Sequence, residues 1–216
     1  MKKIYIIGGG GFARECYYNL IAMAEQDSSI LFGGFLGHGG YGHTVDYKHL
    51  QYFYIGEEAE HQFEENEFAV IGAGYPELRR KIYNDLKKRN VQLFTIYLGQ
   101  PFNESIEIGE ANILMPPFWV TCNIKIGHGN VFNGQVIIGH DVIIGDFNFF
   151  GPQAQILGNI SIGDDNIFGA NAIALPGVKI GHNNKIAPLS AIYKGCRNNS
   201  YMLGNPAIKV GEASQG

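Results

Sequence analysis

From about Ile106 the chain sets an aliphatic or aromatic residue at every sixth position: Ile108, Leu114, Val120, Ile126, Phe132, Ile138, Ile144, Phe150, Ile156, Ile162, Phe168, Ala174, Ile180, Ile186 and Ile192. A longer period lies on top. Ile-Gly recurs at Ile108, Ile126, Ile144, Ile162 and Ile180, and asparagine at Asn112, Asn130, Asn148, Asn166 and Asn184, each a step of 18 residues. Phe132, Phe150 and Phe168 share that step. Three six-residue units therefore make one coil, and like residues stack above like. Parallel strands lie roughly 4.8 Å apart, close enough for asparagine columns to hydrogen-bond and phenylalanine columns to stack. The pattern predicts a parallel β-helix of about five coils, triangular in section, over residues 106–195, with glycines turning the corners.

The first hundred residues follow a different pattern. Lys3–Ile7 reads as an apolar strand ending in Gly8-Gly9-Gly10-Gly11, and Phe12 to about Gln26 as a helix with Cys16 and Leu20 on one face. Ile30–Leu36 is a second strand, followed by the loop GHGGYGH, and Phe68–Gly72 a third. Pro76 opens a charged helix running through Glu77 to Arg89, and Val91–Ile96 is a last short strand. This alternation predicts a small Rossmann-like α/β domain over 1–100, ahead of a β-helix domain over 101–216.

Composition narrows the options. The net charge of −4 is spread without long runs, which offers no positive field for nucleic acid or an anionic membrane. No apolar stretch is long enough to span a bilayer, and the apolar run after Lys2-Lys3 is too short for a secretory signal. Cys16, Cys122 and Cys196 match neither a zinc spacing nor a disulfide framework, so no metal and a cytoplasmic location are expected.

The unit [Ile/Leu/Val]-Gly-x-x-x-x resembles the hexapeptide-repeat acyltransferases, and the tail Gly204-Asn205-Pro206-Ala207 resembles their closing motif. GGGGFARE is similar to one subfamily, sugar acetyltransferases with a Rossmann-like domain ahead of the helix, including those of bacillosamine, perosamine and sialic-acid pathways. The resemblance implies a left-handed winding, acetyl-CoA as cosubstrate and a homotrimer.

The register sorts the histidines. His128 and His182 follow the first corner and read as solvent-facing corner residues. His140 begins a different column: Cys122, His140, Gly158, Pro176 and Lys194, at steps of 18. A base beside a glycine suits acyl transfer: the base reaches the acceptor, while the glycine lets a thioester approach the backbone and its N–H hold the thioester oxygen. Lys194, three coils on, could meet the polar end of the pantetheine arm. The segment Ile138-Gly139-His140-Asp141-Val142-Ile143-Ile144-Gly145-Asp146 resembles the family's catalytic segment. By that resemblance His140 is the general base and Asp141 orients its imidazole, Asn133 contacts substrate or acetyl group, and the backbones of Ala170 and Pro188 line the coenzyme groove. A plain corner or turn role is the alternative for His140, Asp141 and Asn133. Some relatives carry a second histidine where this chain has Asn148, which the asparagine column explains structurally.

Gly8-x-Gly10-x-x-Ala13, between strand and helix, is a dinucleotide-type fingerprint whose N–H groups suit a phosphate. The acidic residue that usually ends the second strand is missing, since Phe35-Leu36 leads to Gly37-His38, which argues against a nicotinamide oxidoreductase. Relatives use this loop for a nucleotide sugar. The expected contacts are Gly8, Gly10, Gly11, Phe12, Ala13, Gly37, His38 and Gly72; a tight turn alone is the alternative. The sequence thus predicts N-acetylation of a nucleotide-linked amino sugar of the 4-amino-4,6-dideoxyhexose type. Sugar O-acetylation, as on a sialic acid, and a non-catalytic β-helix scaffold are the alternatives. A single prism presents the His140 column as a ridge, so a threefold arrangement is expected to supply the second wall of a groove, through the column Asn133, Gly151, Gly169 and Ala187.

Overall fold

The computed structural model describes residues 1–39 and 50–213, so residues 40–43 of the GHGGYGH loop lie outside the described residues. The chain forms two compact units, Met1–Leu98 and Gly99–Gly216. The first holds a parallel sheet in the order β3-β2-β1-β4-β5. Its elements are β1 (Lys2–Ile7), α1 (Gly11–Gln26), β2 (Ile30–Gly37), β3 (Tyr54–Glu57), β4 (Glu67–Ile71), α2 (Pro76–Lys88) and β5 (Gln92–Leu93). The strand order reverses between β1 and β4, the position where open α/β sheets bind ligands over their carboxyl ends. Ile4, Ile6, Ile7, Val70 and Ile71 fill the core, against Ala13, Cys16 and Leu20 of α1. Pro76 is the first residue of α2, as expected. Four-residue β3 carries no apolar alternation and is the strand that the sequence pattern does not announce; pairing with β2 defines it.

At the amino-terminal ends of the strands Glu67 is buried in a polar cluster. Tyr5 Oη donates to Oε1 at 2.7 Å and Lys3 Nζ at 3.2 Å, while His61 Nε2 and the Glu64 N–H meet Oε2 at 3.0 and 3.2 Å. Burial pushes this carboxyl up, but the hydrogen bonds, led by Tyr5, outweigh it and hold the group at about 2. A carboxyl held below its unfolded value of about 4.5 adds stability above that value and loses it as pH falls towards 2. The contribution at neutral pH is on the order of 3 kcal/mol. Glu67→Gln is therefore expected to be less stable at pH 7, and to lose less stability than the parent between about pH 4.5 and 2. Urea unfolding across that range checks it; parallel pH profiles would contradict it.

The second unit is a parallel β-helix of five coils, with the left-handed winding that the resemblance implies. Each face stacks strands at the 18-residue step: Ile124–Ile126 pairs with Val142–Ile144, Val131–Phe132 with Phe149–Phe150, and Ile137–Ile138 with Gln155–Ile156. Phe132, Phe150 and Phe168 stack with ring centroids 4.8 Å apart. Asn130, Asn148, Asn166 and Asn184 are buried, and each backbone N–H donates to Oδ1 of the asparagine one coil earlier at 2.8–2.9 Å. The tail closes as an antiparallel hairpin, Ser200–Gly204 against Ala207–Glu212.

The corners differ from expectation. Left-handed backbone falls on Ala111, Asn123, Gln135, Asp141, Phe147, Gln153, Asn159, Asp165, Asn171, Asn183 and Leu189, with glycine there at Gly129, Gly177 and Gly195. The glycines of the Ile-Gly pairs have no positive φ. They are glycine because a Cβ at Gly109, Gly127 or Gly145 would come within 2.7–2.9 Å of the next coil's backbone. Coil spacing, not backbone twist, selects them.

Candidate functional site

In the second unit the His140 column forms one corner of the prism. His140 Nδ1 lies 2.7 Å from Asp141 Oδ2, and Asp141 Oδ1 accepts from Asn123 Nδ2 at 3.0 Å. The hydrogen bond to His140, then that to Asn123, holds the Asp141 carboxyl below the usual aspartate range. Adjacent residues can pair here because Asp141 has φ +57°, which turns its side chain back beside His140; Asn123 and Asn159 occupy the same corner position in the flanking coils, also with positive φ. Asp141 therefore answers to both readings: it is a left-handed corner residue and the partner of His140. An ionised carboxylate on Nδ1 assigns the proton to that nitrogen and leaves Nε2 as the acceptor.

The imidazole lies over Gly158, where a Cβ would fall 2.6 Å from Nε2 and 2.7 Å from Cε1. Glycine is required so that the ring can rest on the next coil. The Gly158 carbonyl accepts from the Gly177 N–H, while its own N–H makes no bond among the described residues. Pro176 and Lys194 continue the exposed column. Asn123 is absent from the expected set, although stepping 18 residues back from Asp141 reaches it.

Ala170 and Pro188 stand on the next corner. The face bearing Trp119–Val120, Ile137–Ile138, Gln155–Ile156, Ile173–Ala174 and Ala191–Ile192 separates them from His140. One chain does not bring these residues together. Asn133 Oδ1 accepts from the Gly134 N–H at 2.8 Å, which is its turn role. His128 and His182 are corner residues with more than exposure to their credit: their Nδ1 atoms accept the N–H of Glu110 and Asp164 at 3.1 and 2.9 Å. Asp146 and Asp164 do the same for His128 and Asp146, which makes a ladder of acceptors along that corner.

In the first unit Gly8 follows β1 with φ +116° and its N–H bonds to the Leu36 carbonyl. Gly72 follows β4; a Cβ there would lie 2.8 Å from that of Ala13 and 2.9 Å from the Ile7 carbonyl. Gly8, Ala13 and Gly72 thus bring α1 tightly against the sheet ends. Gly10 caps α1, no side chain caps that helix, and Gly11 and Phe12 open its first turn. Gly37 ends β2, and buried His38 is bonded through Nδ1 to Glu58 at 3.0 Å, with Glu58 in turn bound by Arg89. Buried Arg79 donates from Nη1 to the carbonyls of Ile71 and Ala73 at 2.6 and 2.9 Å, which fixes the Gly72-Ala73-Gly74 turn; burial lowers its guanidinium to about 10. No local sequence signal marks Arg79, which sits among other charges in an amphipathic helix. Among the described residues no group of three His, Cys, Asp or Glu side chains is placed to hold a metal, and no helix is long and apolar enough to cross a membrane.

Residues 141–174 match the family model described as bacterial transferase hexapeptide (six repeats). No curated protein matches the chain by sequence. Several solved structures share its fold along nearly the whole length. WeeI from Acinetobacter baumannii is 24% identical, with a TM-score of 0.81 and coverage of 97% of this chain and 100% of that one. The acetyltransferase domain of PglB from Neisseria gonorrhoeae, in complex with acetyl coenzyme A, is 19% identical, with a TM-score of 0.81 over 97% and 99%. PerB from Caulobacter crescentus, in complex with CoA and GDP-perosamine, is 19% identical, with a TM-score of 0.80 over 98% of each chain. The class defined is a parallel sheet domain followed by a hexapeptide β-helix.

Proposed function

We propose that this chain is an acetyl-CoA-dependent N-acetyltransferase acting on a nucleotide-linked amino sugar of the 4-amino-4,6-dideoxyhexose type. The observation that carries the reading is the His140–Asp141 bond of 2.7 Å, with the ring seated on Gly158. The shared fold of the CoA-bound and GDP-perosamine-bound proteins supports it. The acceptor amine attacks the thioester carbonyl carbon and gives a proton to His140 Nε2. Asp141 stabilises the imidazolium that forms. The Gly158 N–H holds the oxyanion of the tetrahedral intermediate. The C–S bond then breaks, and the departing coenzyme thiolate takes the proton from Nε2. The first unit holds the nucleotide at the Gly8–Ala13 loop, with the pyrophosphate on the amino end of α1.

The enzyme works as a cytoplasmic homotrimer. His140 and the Ala170–Pro188 corner flank one face whose outward Trp119 and Ile137 are 63% and 40% exposed, an apolar surface that a second copy covers. A partner's corner then supplies the coenzyme wall opposite His140. Light scattering is expected to give three times the chain mass, and a fully active monomer would refute the shared site.

Thiol release from acetyl-CoA with a panel of nucleotide amino sugars tests the activity. Turnover is expected with an amine acceptor; turnover only with sugar hydroxyls would replace N- by O-acetylation, and no turnover with either would refute the reading. Asp141→Asn is expected to lower kcat about 10- to 100-fold, less than removal of His140, because water screens this exposed pair. Its KM for acetyl-CoA should stay near the parent value; an unchanged kcat would assign Asp141 to the corner alone.

A further inference from the structure

The Asp141 carboxylate gives one oxygen to each of two neighbours: Oδ2 to His140 Nδ1 at 2.7 Å and Oδ1 to Asn123 Nδ2 at 3.0 Å. An ionised carboxylate only accepts, so the Asn123 amide presents its NH2 group, and two partners on two oxygens fix the rotation of the carboxylate. Asn123 is in turn anchored through its backbone. Its N–H donates to Ser105 Oγ at 2.9 Å, and its carbonyl accepts from the Val142 N–H at 3.2 Å. Ser105 Oγ donates to Asn103 Oδ1, and Asn103 Nδ2 donates to the Thr121 carbonyl at 2.9 Å, so this corner is tied down where the β-helix begins. The coil on the other side of Asp141 supplies no such bond. Asn159 holds the same left-handed corner position, with φ +59° against +54° for Asn123, and is also exposed. Among the described residues its side chain bonds to neither Asp141 nor His140.

We propose that Asn123 is a positioning residue of the active site: by holding Asp141 Oδ1 it keeps Oδ2 on His140 Nδ1, so that the ring carries its proton there and presents Nε2 as the acceptor. This rests on the reading of His140 as the base. Among the described residues Asn123 makes no hydrogen bond to the ring itself, so it acts through Asp141. Without its amide the carboxylate keeps one partner and can turn towards water, and the imidazole then loses the bond that selects between its two nitrogens. The pair is exposed, so the effect is one of orientation and modest in size. Asparagine suits both tasks at position 123: its short side chain tolerates the left-handed backbone, and its amide supplies the donor. Asparagine at position 159 performs only the first.

Nitrogen NMR on the full chain with isotope-labelled histidine reads the tautomer directly, and His140→Ala assigns the signal. In the parent, neutral His140 should carry its proton on Nδ1. Glycine takes the left-handed backbone without strain, so Asn123→Gly removes the amide and spares the corner. It should move His140 towards the mixed tautomers of a free imidazole and lower kcat about three- to tenfold, with the KM for acetyl-CoA within about twofold of the parent. Asn159→Gly makes the same change one coil beyond Asp141, and should leave the tautomer as it is and kcat within about twofold. A parent without the Nδ1–H form, or Asn123→Gly and Asn159→Gly variants that behave alike, overturns the proposal. A tautomer that shifts in Asn123→Gly while kcat stays at the parent value supports the placement of the proton by Asn123 and overturns the reading of His140 as the base.

Discussion

Replacing His140 with alanine is expected to lower kcat by about 10²–10⁴-fold, the usual contribution of a general base, with the melting temperature of the protein unchanged. The side chain is 62% exposed and lies on the surface of one coil, so its loss opens no cavity in the core. Its ring is held by two contacts, the Asp141 carboxylate on Nδ1 and the bare Cα of Gly158 beneath. Gly158→Ala should therefore reproduce much of the loss with His140 still present, because the new methyl would sit 2.6 Å from where Nε2 now lies. The ring must swing off the coil, and Nε2 leaves the position from which the proposed mechanism has it take the proton. Steady-state kinetics with acetyl-CoA, beside thermal melting and coenzyme binding, check both variants. An alanine variant at position 140 that turns over at the parent rate and still binds the coenzyme would remove this histidine from the chemistry.

The second large effect is on stability. Asn148→Ala should destabilise the β-helix by about 3 kcal/mol, since a buried donor is orphaned and further hydrogen bonds are lost. Asn148 Oδ1 accepts both the backbone N–H and the Nδ2 of Asn166 at 2.9 Å, and its own Nδ2 donates to Asn130 Oδ1 at 3.0 Å. The truncated variant leaves the Asn166 N–H without an acceptor in the dry interior of a coil. For a chain of this size that cost lowers the melting temperature by roughly 6–12 °C. Gln153→Ala is the control: it also breaks an inter-coil amide contact, to Gln135, but one facing water. It should melt within about 2 °C of the parent, as expected of a surface change. If both variants melt alike, the asparagine column does not stabilise the helix as described.

The β-helix was legible because its contacts are written at a fixed step along the chain. Residue i meets residue i+18, so a count along the sequence locates the Asn130–Asn148–Asn166 ladder, the phenylalanine stack and the His140–Gly158 contact. The same step would have found Asn123 beneath Asp141. The pairing of His140 with Asp141 was less legible, because it depends on a positive φ at Asp141 that spacing does not reveal. The corner glycines carried a misleading signal. A glycine after each isoleucine suggests a turn, yet Gly109, Gly127 and Gly145 are there to let the next coil approach, and the left-handed turns fall elsewhere, most often on Asn, Asp and Gln.

The first unit has no such repeat. From the sequence alone came the strand–glycine loop–helix at Lys3–Gln26, the proline start of α2 and the absence of an acid on β2, because each is a local choice of residue. Strand β3, the Arg79 clamp on the Ile71 and Ala73 carbonyls and the placement of Glu57 over Gly37 came only with the tertiary structure. Glu57 lies 20 positions from Gly37, at no repeating interval. What joins them is the parallel register of β2 and β3, and that register is set by packing of the whole sheet, not by any property of the residues that it brings together.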